Sequence, residues 1–383
     1  MKKTVLFIVS AVLLLSLAGG LLVFFGIPMR NAKREGNEGL EFVKRMGAGI
    51  NLGNTLDACG DMKTHDEYRE SAYYETSWGN PALKEDVIKT IAREGFGAVR
   101  IPVTWAMRTG PAPDYTINIE FLERVKQIVD WVLEADMIAI INMHHDDYYW
   151  YIPNKKNSAA VADRYAKMWK QLAEYFKDCG IDLAFEAFNE PRVTGSVTEW
   201  AGGTIFTRSE VNKMNGIFVD TVRGTGGLNA ERFLILPSYG ASIDTNALGA
   251  LKIPRDSHVI AAVHCYIPRG FATDHDMSAT VFTDKDKKAV NKIFKILENK
   301  FTSRGIPVII GEFAAYHKNN DDQREAYAAY MAAKAKAYGI ALFWWEEGTN
   351  RGHDLADTYG IMDRNTAEFK FPGIAGSLTK PYK

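Results

Sequence analysis

The sequence predicts an α/β fold, a single-domain (β/α)8 TIM barrel preceded by a short N-terminal export or anchor segment. Three observations carry this. Eight short apolar runs recur along the chain, amphipathic helical stretches alternate with them, and polar residues collect at one end of nearly every run. Strand and helix in strict alternation require parallel strands joined by crossovers, and closing eight such units buries both faces of every strand. An open doubly wound sheet is the other architecture this alternation allows.

The first 27 residues stand apart. Met1-Lys2-Lys3 is positive, and the residues from Thr4 to Ile27 are predominantly apolar, with no charge before Arg30. This is the pattern of an export signal, and Ser16 and Ala18 offer a small-x-small cleavage point after Ala18. Leu21 to Phe25 prolong the run, and about 24 apolar residues suffice to cross a hydrocarbon core of about 30 Å uncleaved. A cleaved signal peptide and a retained membrane anchor are therefore both open readings. Each puts the body outside the cytoplasm, secreted or held at the outer face of the membrane. Residues 28–39 read as a tether and 40–378 as the folded domain.

The strand-like runs are Ala48–Leu52, Ala98–Val103, Ile138–Met143, Asp182–Phe188, Phe233–Leu236, Val259–Val263, Pro307–Ile310 and Ile340–Trp344. They are nearly continuous in Val, Ile, Leu, Ala and Phe, as expected of strands covered on both sides. Asn80-Pro81 predicts a capped helix start, with Leu83, Val87, Ile88 and Ile91 on one face. Leu122, Val125, Val129 and Val132 form a second such face. Tyr165, Met168, Leu172 and Tyr175 form a third, and Val290, Phe294, Leu297 and Phe301 a fourth.

Composition narrows the function. Lys and Arg total 46 against 47 for Asp and Glu, a net charge of −1. Neutralising many phosphates needs a clustered basic excess, so no nucleic-acid partner is expected. Three cysteines, Cys59, Cys179 and Cys265, cannot make a disulfide framework and lack zinc-ribbon spacing. Burial as small hydrophobes is their expected role.

In a barrel of this kind chemistry belongs to the carboxyl ends of the strands. Asn51 follows the first run and Arg100 lies in the second. His144 and His145 follow the third, Asn189 and Glu190 the fourth, His264 and Tyr266 the sixth, Glu312 the seventh and Trp345 the eighth. Two carboxylates, Glu190 and Glu312, facing across a barrel mouth suit glycoside hydrolysis, in which one protonates the leaving oxygen and the other attacks carbon or activates water. Glu186, two residues before Phe188, reads instead as a hydrogen-bond partner inside the barrel. A metal reading rests on His144, His145 and His264. Adjacent strand residues point to opposite faces, so the histidine pair is not expected to chelate, and no HExxH occurs. No cofactor or catalytic metal is expected; a structural calcium at Asp354–Asp357 stays open. Trp78, Trp105, Trp150, Trp200, Trp344 and Trp345 are candidate sugar platforms, with Trp345 preferred for the site.

Six segments occur in order: Gly49-Ile50-Asn51-Leu52-Gly53-Asn54, Val99-Arg100-Ile101-Pro102-Val103, Asn142-Met143-His144-His145, Phe188-Asn189-Glu190-Pro191, His264-Cys265-Tyr266 and Gly311-Glu312-Phe313. Together they closely resemble glycoside hydrolase family 5, a retaining endoglucanase and mannanase family of (β/α)8 barrels, over roughly residues 40–350. The resemblance implies that Glu190 is the acid/base and Glu312 the nucleophile. It implies that Arg100, His144, Asn189, His264, Tyr266 and Trp345 support them. Glu75-Thr76-Ser77-Trp78-Gly79-Asn80-Pro81 is similar to the subgroup acting on β-1,4-glucans including xyloglucan. One departure is Trp345-Glu346-Glu347-Gly348, where that subgroup usually has Trp-Asp-Asn-Gly.

The expected protein is thus a monomeric, endo-acting β-1,4-glucanase whose partner is a β-glucan polysaccharide. Asn51, His145 and Trp78 complete its expected substrate-binding set. The same fold also accommodates a β-mannanase or xylanase, or a non-catalytic carbohydrate-binding barrel. Retaining enzymes hold their carboxyls about 5–5.5 Å apart, and the ends of strands four and seven are expected to allow that distance.

Overall fold

The eight apolar runs become eight parallel strands that pair in sequence order, the last returning to the first to close the barrel. The computed structural model describes residues 37–59, 75–151, 153, 157–274, 278–349 and 358–383. The N-terminal segment, all but the end of the tether, and Asp354–Asp357 lie outside the described residues. The strands are β1 Ala48–Asn51, β2 Ala98–Ile101, β3 Ile138–Asn142, β4 Leu183–Glu186, β5 Leu234–Pro237, β6 Val259–His264, β7 Val308–Phe313 and β8 Ala341–Trp344. Closure rules out the open doubly wound sheet.

The principal helices are α1 Glu38–Met46, α2 Glu85–Glu94, α3 Ile119–Glu134, α4 Ser158–Tyr175, α5 Ile205–Gly224, α6 Thr245–Ala250, α7 Asp284–Lys300, α8 Asp321–Tyr338 and α9 Pro372–Thr379. The apolar faces read from sequence point inward: Val87, Ile88 and Ile91 on α2, and Leu122, Val125, Val129 and Val132 on α3, are buried. The expected start of α2 is displaced. Lys84 occupies its cap position, because the Asn80 amide is taken by the Asn54 and Glu347 carbonyls at 3.0 and 2.9 Å. Acidic Glu85 and Asp86 in its first turn suit the positive end of the helix dipole.

The barrel interior has two layers. Toward the amino ends of the strands, Ala98, Ile138, Ile140, Ala184, Ile235, Ile260, Ala262, Ile309 and Ala341 pack with Phe42, Val43 and Met46 of α1. Stepping by two along β2, β3, β4 and β6 reaches Arg100, Asn142, Glu186 and His264. The pleat therefore carries one inward row from an apolar floor to a polar roof.

The register breaks once near the roof. Val263 pairs with Ile310, but His264 pairs with Glu312, so Gly311 is an extra residue in β7. Such a bulge re-aims the side chain that follows it. A Cβ on Gly311 would approach the His264 Nε2 to 3.2 Å, which favours glycine there. The chain from Gly36 to Lys383 clusters as one compact unit. Cys59 and Cys265 are buried thiols and Cys179 is half-buried, with no disulfide among them. Among the described residues, no helix is long and apolar enough to cross a membrane.

Candidate active site

Arg100 organises the polar roof. It is fully buried, and its guanidinium donates to Glu186 Oε2 at 2.7 Å, Asn51 Oδ1 at 2.9 Å, Asn189 Oδ1 at 2.8 Å and Glu312 Oε1 at 2.8 Å. Its burial opposes the charge, but Glu186 and Glu312 more than compensate and hold it cationic. Glu186 takes a second bond, from the Asn142 amide at 2.8 Å, as befits a partner inside the barrel. Asn51 is a correction to the expected substrate-binding set. Its amide nitrogen donates to the Gly311 and Trp344 carbonyls at 3.0 and 3.1 Å and its oxygen accepts from Arg100, so it braces the arginine within the wall. Arg100 likewise acts through Glu312 and Asn189, being wholly shielded from the mouth.

Glu190 and Glu312 converge on one imidazole. His264 Nδ1 lies 2.8 Å from Glu190 Oε1 and 3.5 Å from Glu312 Oε2, and oxygens of the two carboxyls come within 4.8 Å of each other. The Tyr266 hydroxyl donates to Glu312 Oε2 at 3.0 Å. Glu190 is held below the usual carboxylate range against its burial, chiefly by the His264 hydrogen bond and charge. Burial and the Glu190 charge lift Glu312 above that range, against His264 and Arg100. Glu312 has the guanidinium and the phenol, which favour its ionised form. Among the described residues Glu190 has instead the imidazole and, at 3.7 Å, the Arg192 guanidinium.

The remaining expected residues form the walls. The oxygen of Asn189 is committed to Arg100, which leaves its amide N–H groups as the side chain's donors. His144 stacks nearly parallel to Trp345, with centroids 5.5 Å apart and an angle of 10°. His145 meets Trp78 at 5.5 Å. Burial lowers both histidines, His145 to about 3, so both are neutral rings at ordinary pH.

The expectation that adjacent histidines diverge is also corrected. Both follow the end of β3, where the pleat no longer applies, and their rings sit 4.4 Å apart, edge to face. Together with Asp57 they bring ligating atoms within 4.8 Å of one another, as do Glu190, His264 and Glu312. The Asn142 amide, already a donor to Glu186, lies 3.2 Å from His144 Nδ1. That nitrogen must accept, so Nε2 carries the proton and offers a donor to a hydroxyl rather than a lone pair to a cation.

The tryptophans separate by depth. Trp105 and Trp344 are wholly buried, which removes them as platforms. Trp150 is tied to Asp146 by its indole N–H at 2.7 Å and lies under Arg164. Trp345 lies against His144 and Trp78 against His145, and Trp200 is 59% exposed.

Sequence reasoning missed Arg192, Asn142 and Glu347. Arg192 pairs with Asp147 at 2.6 Å and Glu199 at 3.0 Å, with Nη1 3.7 Å from Glu190 Oε2. Its position two residues after Glu190 was the available signal. The departure at Glu346-Glu347 also acquires a physical role. Glu347 accepts from Trp345 Nε1 and Asn54 Nδ2, both at 3.4 Å, and from the Thr358 hydroxyl at 3.1 Å and the Tyr359 N–H at 3.0 Å. Glu346 accepts the Gly348 N–H at 2.6 Å beside Arg364. The two carboxylates brace the tryptophan and tie the loop after β8 to the C-terminal segment.

Comparison with known proteins agrees with this geometry. Residues 61–351 match the family described as Cellulase (glycosyl hydrolase family 5). The cellulase/esterase CelE of Acetivibrio thermocellus is 38% identical over 99% of this chain and 47% of its own length, so the chain spans about half of that curated relative. A GH5-4 broad specificity endoglucanase from Clostridium acetobutylicum superposes with a TM-score of 0.83 at 39% identity, covering 89% of this chain and 99% of that one. XEG5A, a GH5 xyloglucan-specific endo-β-1,4-glucanase from a metagenomic library, gives 0.84 at 35% identity, over 90% and 99%. With a family match across more than half the chain and the barrel in common with these enzymes, the chain belongs to glycosyl hydrolase family 5.

Proposed function

We propose that this protein is a retaining, endo-acting β-1,4-glycanase that cuts internal bonds of β-glucans, namely cellulose, mixed-linkage glucan and xyloglucan. The observation that carries the reading is the approach of the Glu190 and Glu312 oxygens to within 4.8 Å, both against His264. This supports the short spacing of double displacement over the wider gap that an inverting water needs. Glu312, ionised beside Arg100 and Tyr266, attacks the anomeric carbon while Glu190 protonates the departing oxygen. A glycosyl-enzyme ester on Glu312 results. Glu190, now a carboxylate, takes a proton from water, which displaces Glu312 and restores both groups. The Asn189 amide faces the position of a sugar 2-hydroxyl, where its bond strengthens as positive charge grows on the ring. His144 and Trp345 contribute the donor and the apolar face that orient the sugar. No step calls on a metal, and activity is expected to persist in EDTA.

Reducing-sugar release from barley β-glucan, carboxymethylcellulose, xyloglucan, mannan and xylan tests the reading. Turnover on the first three supports it. Turnover confined to mannan or xylan changes the substrate, and inactivity on all five, the behaviour of a binding barrel, removes the enzyme. We also propose export through residues 1–27. N-terminal sequencing from an expressing host should begin near Gly19 if the signal is cleaved, and full-length protein in the membrane fraction would identify an anchor.

A further inference from the structure

Two buried polar atoms behind the carboxylate pair border one small space. Glu186 lies wholly inside the barrel, and both of its protein donors, Arg100 Nε at 2.7 Å and the Asn142 amide at 2.8 Å, go to Oε2. Among the described residues, Glu186 Oε1 has no hydrogen-bond partner. The same holds for His264 Nε2, on a side chain only 4% exposed. A Cβ on Gly311 would lie 3.2 Å from that nitrogen and 3.6 Å from that oxygen, so both atoms face the space beside the bulge in β7. A buried carboxylate oxygen and a buried ring nitrogen are costly to leave unmatched, and together they offer a water the polar partners it needs.

We propose that one buried water joins Glu186 Oε1 to His264 Nε2, and that through it Glu186 is a positioning residue for the proton of the acid/base. The inference rests on the glycosidase reading above and extends it to a residue sealed from the substrate.

Counting protons shows what the water does. Nδ1 of the same ring meets Glu190 Oε1 at 2.8 Å. Two arrangements put two protons on this pair and keep a strong bond at that contact: a Glu190 O–H donating to Nδ1, or an imidazolium donating to the carboxylate. In both, Nε2 bears a hydrogen. With one proton on the pair, Nδ1–H donates to the Glu190 carboxylate and Nε2 is bare. A water that donates to Glu186 still has a lone pair to accept Nε2–H, so it favours the two-proton states from which Glu190 can act as an acid. Its second hydrogen serves the bare nitrogen afterwards, and the bridge survives the change from acid to base. The other charged or titratable groups that bear on the ring are Glu312, 3.5 Å from Nδ1, Arg100 and Tyr266 bound to Glu312, Arg192 beside Glu190, and His144.

Two substitutions break the bridge from opposite ends. Gly311 is not at positive φ, so Gly311→Ala strains no backbone dihedral, and its methyl within 3.6 Å of both atoms displaces the water. Glu186→Gln keeps an oxygen for Arg100 and Asn142 but turns N–H₂ toward the water, which must then donate to Nε2. Either change disfavours the two-proton states. The alkaline limb of kcat/KM on cellopentaose is therefore expected to move about one unit to lower pH, a tenfold loss of proton affinity. In the double variant the second change should move it no further, because both act through one water. A limb that stays in place in Gly311→Ala overturns the proposal, as do shifts that add in the double variant; Glu186 would then be a partner of Arg100 alone. If either variant does not fold, a wild-type crystal diffracting well enough to show waters decides the matter. One water within hydrogen-bond reach of both atoms is expected there, and a site without it overturns the proposal. A wild-type protein inactive on every glucan would instead sink the glycosidase reading, and the crystal would still report on the water.

Discussion

The two sides of the carboxylate pair are built by different means. On the side of β1, β3 and β8, Asn51, His144 and Trp345 are buried, and Glu347 braces the tryptophan by bonds that cross the sequence. On the side of the loop after β4, Arg192 is equally buried, but it carries an exposed tryptophan and open apolar side chains. The first wall is set by barrel register, because its residues sit at strand ends whose neighbours are fixed by pairing. The second is set by a loop held by ion pairs, turns and bonds to Tyr239 and Gly240. On the reading proposed above, bond cleavage depends on the geometry of the first and reach along a polymer on the second.

The largest break is at the pair itself. Glu312→Gly is expected to lower turnover by a factor of about 10⁴ or more while glucan binding persists, because on the proposed mechanism Glu312 forms the ester. Glu190→Ala is expected to lose about 10³-fold on glucan and far less on a dinitrophenyl cellobioside, whose leaving group needs little protonation. Azide added to the latter variant should yield the β-glycosyl azide. An α-azide, or an α-anomer formed first by the wild type in NMR, would reverse the stereochemical assignment.

The next sharpens the contrast between the walls. Glutamine in place of Glu347 keeps one acceptor and turns an amide N–H₂ against two of the four donors that Glu347 satisfies. Loosening Trp345 in this way is expected to cost roughly tenfold in kcat/KM, the size of one lost hydrogen bond of about 1.4 kcal/mol. The loss should be equal for β-cellobiosyl fluoride and cellopentaose, since both fill this wall. A loss confined to the longer substrate would place Trp345 with the second wall and dissolve the distinction.

The walls also differ in how far the sequence discloses them. Arg100, His144, Glu190, His264 and Glu312 were legible because strands impose position: a polar residue at the carboxyl end of an apolar run has few places to go. The eight strands were legible for the same reason, though the seventh run was ended too early. Nothing in Gly311 announces the bulge that carries β7 on through Glu312. Asn51 was legible as a strand-end residue but not as a brace, since its partners Gly311 and Trp344 lie more than 250 positions away. Arg192 and Glu347 were illegible because their meaning lies in partners supplied by loops. Adjacent His144 and His145 misled for a related reason, since the alternation rule ends where pairing ends.

The last expected effect falls on stability rather than turnover and tests the buried wall as a store of electrostatic cost. Asp57 is fully buried behind His145 and accepts the Asn54 and Thr55 N–H groups at 3.0 and 2.7 Å. Burial nevertheless pushes its carboxyl up to about 6. His145 Nε2 stands 3.8 Å away but is neutral and supplies no countercharge. An unfolded Asp titrates near 3.9, so between pH 4 and 6 the folded chain keeps a proton that the unfolded chain has released. Stability must then fall as pH rises through that window, by about 3 kcal/mol for a shift of about two units, and level off above it. Asp57→Asn cannot ionise. Its offset from the wild type should therefore move in the variant's favour between pH 4 and 6, whatever constant penalty the lost acceptor imposes. Denaturant unfolding at pH 4, 5, 6 and 7 reads this difference directly. An offset that does not change with pH would mean that the two backbone N–H groups already balance the burial of the charge, and that this wall is as inexpensive to ionise as the open one.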